Sequence, residues 1–160
     1  FKIEGRMKTA LYVATVARTY RKAINDYFES EELYRANMSY YQTEISKCTY
    51  RQFTTGFYFN KADDTTQIYD HNSYIKEYTY LGMIKSITEE GLYEIEQKNK
   101  FSQGDNIEIM LFNGENLQLI VKNIYDENMN PIVSAPHPKQ RLYISLDAEL
   151  PIGTILRRQG

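Results

Sequence analysis

The sequence predicts an α+β protein in which an N-terminal helical segment precedes a small six-stranded antiparallel β barrel. Two patterns lead to this prediction. Between Met7 and Phe28 the apolar residues recur at steps of three and four, which is the repeat of one helix face. From Tyr74 onward, short β-prone runs alternate with turn residues about every ten positions. Net charge changes along with the pattern, from +3 over residues 1–60 to −5 over residues 61–160. We therefore expect two units, a helical segment at 1–73 and a β barrel at 74–160.

Two helices are expected in the first unit. The first spans 7–28 and should bury the face that carries Met7, Leu11, Ala14, Ala17, Tyr20, Ile24, Tyr27 and Phe28. The second is expected over 31–47, with Ser30 as its N-cap and two glutamates in the first turn, where the helix dipole favours anions. Cys48, the sole cysteine, follows this helix and is expected to be a small buried hydrophobe.

Six short runs predict the strands of the barrel. They are Tyr78–Ile87, Leu92–Gln97, Asn106–Phe112, a run through Leu117, Leu119 and Val121, a run through Leu142, Ile144 and Leu146, and Thr154–Arg158. The pair Asn113-Gly114 predicts a tight type I′ hairpin, because both residues tolerate positive φ. Closing the sheet into a barrel would remove its exposed edges.

Composition excludes several classes of protein. The 160 residues include 19 Lys plus Arg and 21 Asp plus Glu, which excludes a strongly basic nucleic-acid-binding tail and an acidic disordered one. No apolar run is long enough to cross a membrane, and no secretory signal is visible. A single cysteine fits a reducing compartment, so we expect a cytoplasmic protein with no membrane contact. The first residue is Phe1 rather than Met, from which we expect a fragment of a longer protein.

Few residues suggest chemistry by themselves. The aromatic stretch from Arg51 to Phe59, which includes Phe57, is either a buried segment that docks the two units or a stacking surface for a base or phosphate. His137, one of two histidines, lies between two prolines and is either a loop-packing or a functional residue. The acidic residues of the polar stretch 60–73 lack the spacing of a calcium loop, so no metal site is expected.

A family resemblance runs through the chain in order. It is carried by residues 1–10 and 12–16, by Arg51 with residues 54–59, by residues 96–101 with Gly104-Asp105, and by Asn130-Pro131 and residues 135–138. These motifs resemble peptidase family U32, the collagenase-like proteases. The resemblance implies that residues 1–73 end a TIM-like barrel and that a small β-barrel domain follows. Thr49 and Tyr50 stand where many relatives have Ser and His.

The resemblance also implies where chemistry would lie. Glu4 and Arg6 would follow a barrel strand at its C-terminal end, the face where TIM-type barrels keep their active sites, and they would act either as an ion pair or as catalytic residues. Several relatives bind an iron–sulfur cluster through upstream cysteines, so no cofactor is expected in this fragment. From the residues themselves, Arg51, Phe57 and His137 are the candidates for contact with a substrate or RNA, if they are not purely structural.

Two functions follow from the family. In the first, the chain is the C-terminal part of a peptidase, and the barrel presents substrate or braces the upstream domain. In the alternative, it belongs to an oxygen-independent tRNA or rRNA hydroxylation protein whose barrel contacts RNA. The chain contains no Ser-His-Asp, Cys-His or His-Glu zinc arrangement, so we expect this fragment alone to be inactive. Expected partners are the upstream TIM-like domain, a protein or RNA substrate, and a second copy through the first helix.

Overall fold

A computed structural model describes residues 2–48, 58–59, 78–137 and 139–160. Within these residues, helices precede antiparallel strands, which confirms the α+β order. The helices are α1 (Ala10–Glu29), α2 (Glu31–Ala36) and α3 (Met38–Ser46). The strands are β1 (Tyr78–Ile87), β2 (Tyr93–Gln97), β3 (Phe101–Ser102), β4 (Asn106–Met110), β5 (Asn116–Ile120), β6 (Asn123–Tyr125), β7 (Pro131–Ile132), β8 (Ser134–Ala135), β9 (Arg141–Ser145) and β10 (Ile155–Gln159). The expected boundary at 73/74 lies outside the described residues and stays a prediction, as does the origin of the helices in an upstream barrel.

Helix α1 is present, but it buries a different face from the predicted one. The buried positions lie along one helix face, and three of the five are polar: Leu11, Thr15, Val16, Thr19 and Asp26. In contrast, Met7, Tyr20, Tyr27 and Phe28 of the predicted face are exposed. Thr19 and Asp26 on the buried face are hydrogen-bonded, as most buried polar groups are, whereas the Thr15 hydroxyl has no partner among the described residues. The hydroxyl of Thr19 donates to the carbonyl of Thr15 at 2.7 Å, and Asp26 accepts from the hydroxyl of Tyr41 at 2.6 Å.

The second predicted helix is two helices that meet at Asn37. Ser30 is the N-cap, as predicted, and its Oγ accepts the Leu33 N–H at 3.0 Å. At Asn37 the backbone leaves helical geometry, with φ −90° and ψ 6°. The side chain of Asn37 donates to Asp26 Oδ2 at 2.9 Å and so anchors the junction of α2 and α3 on α1.

Eight strands form the main sheet, in the order β5-β4-β10-β1-β2-β9-β6-β7, and every neighbouring pair is antiparallel. The six predicted strands are all present, but the count of six is wrong because β6 and β7 extend the sheet. Strands of two or three residues are too short to show the period-2 alternation by which a strand is recognised in sequence.

A second sheet of two strands, β3 and β8, connects the two flanks of the main sheet. Strand β3 leads into β4 near one edge, and β8 follows β7 at the other. The link continues where the Gln103 N–H donates to the Val133 carbonyl at 2.9 Å, and the Gly104 N–H donates to the Val121 carbonyl at 2.8 Å. The result is a curled eight-stranded sheet joined by a short two-stranded sheet, rather than the simple six-stranded barrel predicted above.

The predicted hairpin at Asn113-Gly114 is present, but its turn is not of type I′. Just beyond the ends of β4 and β5, the Leu111 N–H donates to the Glu115 carbonyl at 3.0 Å, and this bond closes a loop of three residues, 112–114. Only Gly114 has a positive φ, at 95°, and Asn113 does not. This is the three-residue hairpin that ends in a left-handed glycine. Helix α3 holds its tip, because the hydroxyl of Tyr40 donates to the Gly114 carbonyl.

The curled sheet and the helices meet at a face outside the sheet's own core. The interior of the sheet is filled by apolar residues of its strands, among them Ile109, Leu142 and Leu156. A separate small apolar cluster lies between α1 and the outer face of the sheet, formed by Leu11, Tyr80, Met110 and Ile155, with Ala14 and Met83 against it. The helices therefore cover one outer face of the sheet and do not enter its interior.

Candidate functional site

Five charged residues from the helices and the sheet meet beneath the helices, in what we call the buried ion cluster: Arg18, Glu44, Lys47, Glu108 and Arg157. Arg18 Nη2 lies 2.7 Å from Glu44 Oε1, and Lys47 Nζ lies 3.2 Å from both Glu44 Oε2 and Glu108 Oε2. Arg157 Nε donates to Glu108 Oε1 at 2.7 Å, and its Nη2 donates to Glu44. The cluster therefore ties α1 and α3 to β4 and β10.

Strand alternation explains why two of these charges point at the helices. In β10, Leu156 faces the interior of the sheet, so its neighbour Arg157 faces outward, under the helices. In β4, Ile107 and Ile109 face the interior and Glu108 faces outward. Arg157 is 0% exposed. Its guanidinium carbon also lies 5.0 Å from the centre of the Tyr78 ring, a cation–π distance.

The neighbouring cations keep the Glu44 carboxylate charged. Burial by itself raises the pKa of Glu44, but Arg157, Arg18 and Lys47 together hold that pKa below its ordinary value of 4.5. Burial lowers the pKa of Arg18, and Glu44 opposes that shift. Three basic side chains thus face two acidic side chains. This arrangement holds two units together, and it supplies no nucleophile.

Stability should fall in acid because of Glu44. A carboxyl group whose pKa is depressed by folding contributes stability that is complete above its unfolded value near 4.5 and is lost as pH falls through the folded value. At about pH 7 we expect Glu44→Gln to unfold at a lower urea concentration than the parent. This difference in urea midpoint should become smaller at about pH 3. Urea denaturation of both proteins at each pH measures the gap.

Glu31→Gln is the matched control for this measurement. Glu31 pairs with Arg35 on the exposed side of α2, so its loss should cost less than about 1 kcal/mol at either pH. A gap for Glu44→Gln that stays constant from pH 7 to pH 3 would contradict the assigned charge of the cluster.

Arg18 also holds the β4–β5 hairpin against α1. Its Nη1 donates to the carbonyl of Leu111 at 3.0 Å and to that of Glu115 at 3.1 Å, and its Nη2 donates to Asn116 Oδ1 at 2.9 Å. The hairpin approaches α1 closely at Gly114, where an added Cβ would lie 2.7 Å from the Lys22 side chain. These contacts make the helices and the sheet one packed body.

The residues predicted from the sequence to act at a site lie elsewhere. Glu4 is exposed and pairs with Lys2 at 3.0 Å, and Arg6 is exposed. His137 is exposed in a turn, where its carbonyl accepts the Gln140 N–H at 3.3 Å. Among the residues that the structure describes, no contact joins Glu4 or Arg6 to His137. Arg51 and Phe57 lie outside the described residues, so their roles stay predictions.

Two further features concern ligands and membranes. Over residues 2–48, 58–59, 78–137 and 139–160, no three His, Cys, Asp or Glu side chains lie close enough to hold a metal ion. None of the helices in that part of the chain combines the length and apolar character needed to cross a bilayer. Cys48 is buried, as predicted, and its Sγ lies 3.2 Å from the Ile45 carbonyl; burial raises the pKa of its thiol.

Comparison with known families identifies the class of this protein. The model of the peptidase family U32 C-terminal domain matches residues 76–157, and the model of peptidase family U32 matches residues 1–68. The chain belongs to peptidase family U32.

Named relatives extend the comparison. The chain is 30% identical over 158 residues to tRNA hydroxylation protein P1 of Bacillus subtilis (strain 168), which covers 98% of this chain and 37% of that protein. It is 26% identical over 156 residues to tRNA hydroxylation protein P of Escherichia coli (strain K12), which covers 97% of this chain and 33% of that protein. The chain therefore spans about a third of the length of these relatives.

A solved structure is also similar. It is the crystal structure of the selenomethionine variant of the C-terminal domain of a U32 peptidase from Geobacillus thermoleovorans. That domain is 26% identical, with a TM-score of 0.46, and the match covers 50% of this chain and 99% of the solved one.

Proposed function

We propose that this chain is the C-terminal part of a tRNA hydroxylation protein and that it acts as a rigid RNA-contacting module beside an upstream catalytic domain. The observation that carries the proposal is the match of nearly the whole chain, 98%, to a tRNA hydroxylation protein of B. subtilis. The match includes both the helices and the curled sheet, so the packed body described above corresponds to a continuous part of that relative.

The buried ion cluster supports a module of fixed shape. Glu44 lies on α3 and Arg157 on β10, 113 positions apart in sequence, and their contact ties the helices to the sheet. A module whose two units keep one orientation can hold an RNA at a fixed position relative to a second domain. Productive geometry depends on such positioning.

The second part of the proposal concerns the partner of α1. Part of the helix surface is apolar, with Tyr27 and Phe28 exposed, and Ile3 and Met7 are exposed just before the helix. Beside it lies a groove of about 400 Å³ that includes Ile3, Tyr12, Val16 and Ile45. An exposed apolar surface of this kind marks a contact with another domain. The upstream domain is the occupant in our proposal, and a full-length structure with these residues exposed would contradict it.

The function is tested by complementation. The full-length gene is expressed in a B. subtilis strain that lacks tRNA hydroxylation protein P1, and tRNA nucleosides are analysed by mass spectrometry. We expect the hydroxylated nucleoside, heavier than its precursor by one oxygen atom, to return. A gene cut before the codon of Tyr78 should fail to restore it, because the sheet would be missing.

The alternative function, a peptidase, is tested by a protein-cleavage assay. Purified full-length protein is incubated with gelatin and casein, and fragments are followed by electrophoresis. Cleavage of these proteins together with tRNA that stays unmodified in the complemented strain would overturn the proposed function and favour the peptidase.

A further inference from the structure

Two turns at one end of the curled sheet are held against each other. The first comprises residues 98–100 and connects β2 to β3, and the second includes His137 and Lys139 and connects β8 to β9. The Lys139 N–H donates to the Gln97 carbonyl, just before the first turn, at 3.0 Å. The pairing of β3 with β8 also joins the two turns. They therefore form one continuous surface.

A buried glutamine fixes this arrangement. The Gln97 side chain is 0% exposed, and its amide group donates to the carbonyl of Asn99 at 3.2 Å and to that of Ala135. One side chain is thus bonded to the first turn and to the strand that leads into the second. Lys139 has a φ of 66°, a conformation that is uncommon for residues other than glycine and persists only where the surroundings enforce it. The fold therefore holds both turns in one shape.

Unpaired positive charge is concentrated on this surface. Residues 78–160 contain eight lysines and arginines. Six of them form ion pairs: Lys85, Lys98, Lys122, Arg141, Arg157 and Arg158. The other two, Lys100 and Lys139, have no carboxylate partner among the described residues, and both are exposed. Each lies in one of the two turns, so their charge is available to an anion.

The carboxylates beside the two turns are already paired. On the outer face of β2, Glu94 Oε1 lies 2.7 Å from Arg141 Nε. Glu96 pairs with Lys98, and its Oε2 lies 3.2 Å from Lys85 Nζ. Neither glutamate therefore cancels the charge of the two unpaired lysines.

Aromatic rings lie beside this charge, on the outer face of β9 and β6. Tyr143 of β9 lies opposite Tyr125 of β6, and both side chains are partly exposed. The guanidinium carbon of Arg141 lies 5.9 Å from the centre of the Tyr143 ring. Proteins bind single-stranded nucleic acid with cations on the phosphates and aromatic rings stacked on the bases. An acidic peptide has no bases to stack, so the rings favour RNA as the ligand.

We infer that this surface binds a single-stranded loop of RNA. We call it the lysine corner and define it as Lys100, His137, Lys139, Arg141 and Tyr143. The inference rests on the proposed function and specifies which side of the module contacts RNA. Lys100 and Lys139 contact backbone phosphates, and a base stacks on Tyr143. Because Asp126 and Glu127 follow Tyr125 directly in sequence, the RNA backbone lies on the lysine side of the tyrosines.

Binding of tRNA to the 160-residue chain tests the inference. The probe is an unmodified tRNA transcript, and its binding is followed by fluorescence anisotropy at several salt concentrations. We expect Lys100→Gln and Lys139→Gln each to weaken binding by about 3- to 10-fold. Each should also reduce the slope of log affinity against log salt by about 0.7 to 1, the change expected for one phosphate contact.

Lys122→Gln is the matched control for the lysine variants. Lys122 pairs with Asp147, which follows the end of β9, whereas the lysine corner lies at the start of that strand. This variant removes the same charge from the chain and should bind tRNA like the parent. Because Lys100 and Lys139 are exposed, their variants should also melt at the temperature of the parent.

Tyr143→Leu separates stacking from charge. We expect tRNA binding to weaken by about 5-fold or more, with the salt slope unchanged because no charge is removed. Tyr27→Leu is its control, since Tyr27 is 54% exposed on α1, and it should leave tRNA binding unchanged. Polyglutamate, added at the same concentration of negative charge as the tRNA, should not displace the tRNA.

Three results would overturn the inference: absence of tRNA binding by the parent chain, an affinity and salt slope that stay unchanged in Lys100→Gln and Lys139→Gln, or displacement of the tRNA by polyglutamate. These results can be separated from failure of the proposed function. A full-length protein that restores tRNA hydroxylation, while both lysine variants bind tRNA like the parent, loses only the lysine corner. A protein that binds tRNA at the lysine corner without restoring hydroxylation loses the proposed function.

Discussion

Replacing Arg157 by methionine should lower the free energy of unfolding by about 3–5 kcal/mol, the range found when one partner of a buried ion pair is removed. Arg157 is 0% exposed and contacts both Glu44 and Glu108. Without it, the two carboxylates keep only Arg18 and Lys47 as counter-charges, in a place where water cannot replace the lost partner. Urea denaturation, followed by circular dichroism, measures the change.

The neighbouring arginine is a matched control. Arg158 pairs with Asp105 through a side chain that is 36% exposed, so Arg158→Met should cost no more than about 1 kcal/mol. Adding Glu44→Gln to Arg157→Met should cost less than the sum of the two single losses, because both changes remove the same Glu44–Arg157 contact. Equal losses for Arg157→Met and Arg158→Met would show that the buried ion cluster does not hold the units together.

The second large effect is expected at Phe101. This residue of the two-residue strand β3 is 1% exposed and belongs to the core of the curled sheet. Phe101→Ala should therefore cost about 3–5 kcal/mol, through lost apolar burial and the cavity left behind. The same denaturation experiment measures this loss.

Phe112 offers the comparison, because it is 63% exposed on the β4–β5 hairpin. Phe112→Ala should change the free energy of unfolding by about 0.5 kcal/mol or less. If both phenylalanine variants lose the same small amount of unfolding free energy, then β3 and β8 contribute little to the core. The link between the two flanks of the sheet would then add little to stability.

Much of the fold follows from local patterns in the sequence. A serine at a helix start, apolar steps of three and four, and apolar alternation predict helices and most long strands, because each depends on residues close together in the chain. Ser30 illustrates this, since its capping bond reaches only to Leu33. The short strands β3, β6, β7 and β8 were not predicted, because pairing with distant segments defines them and two or three residues show no alternation.

The site residues show the opposite case. In Ile155-Leu156-Arg157-Arg158, alternation correctly puts Leu156 and Arg157 on opposite faces, and an arginine on an outer face is ordinarily solvated. Nothing local indicates that helices cover that face. Glu108 lies between two inward-facing isoleucines, and its sequence context likewise gives no sign that helices cover it.

The sequence by itself determined where the helices and the longer strands lie and the resemblance to family U32, because these depend on local spacing and residue identity. The tertiary structure alone decided which face of α1 is buried, how the sheet curls, and which charges meet beneath the helices. The physical reason is that a residue on one element becomes buried only when a second element packs over it. Arg157 is a buried ion, not a surface charge, only because α1 and α3 lie over its strand.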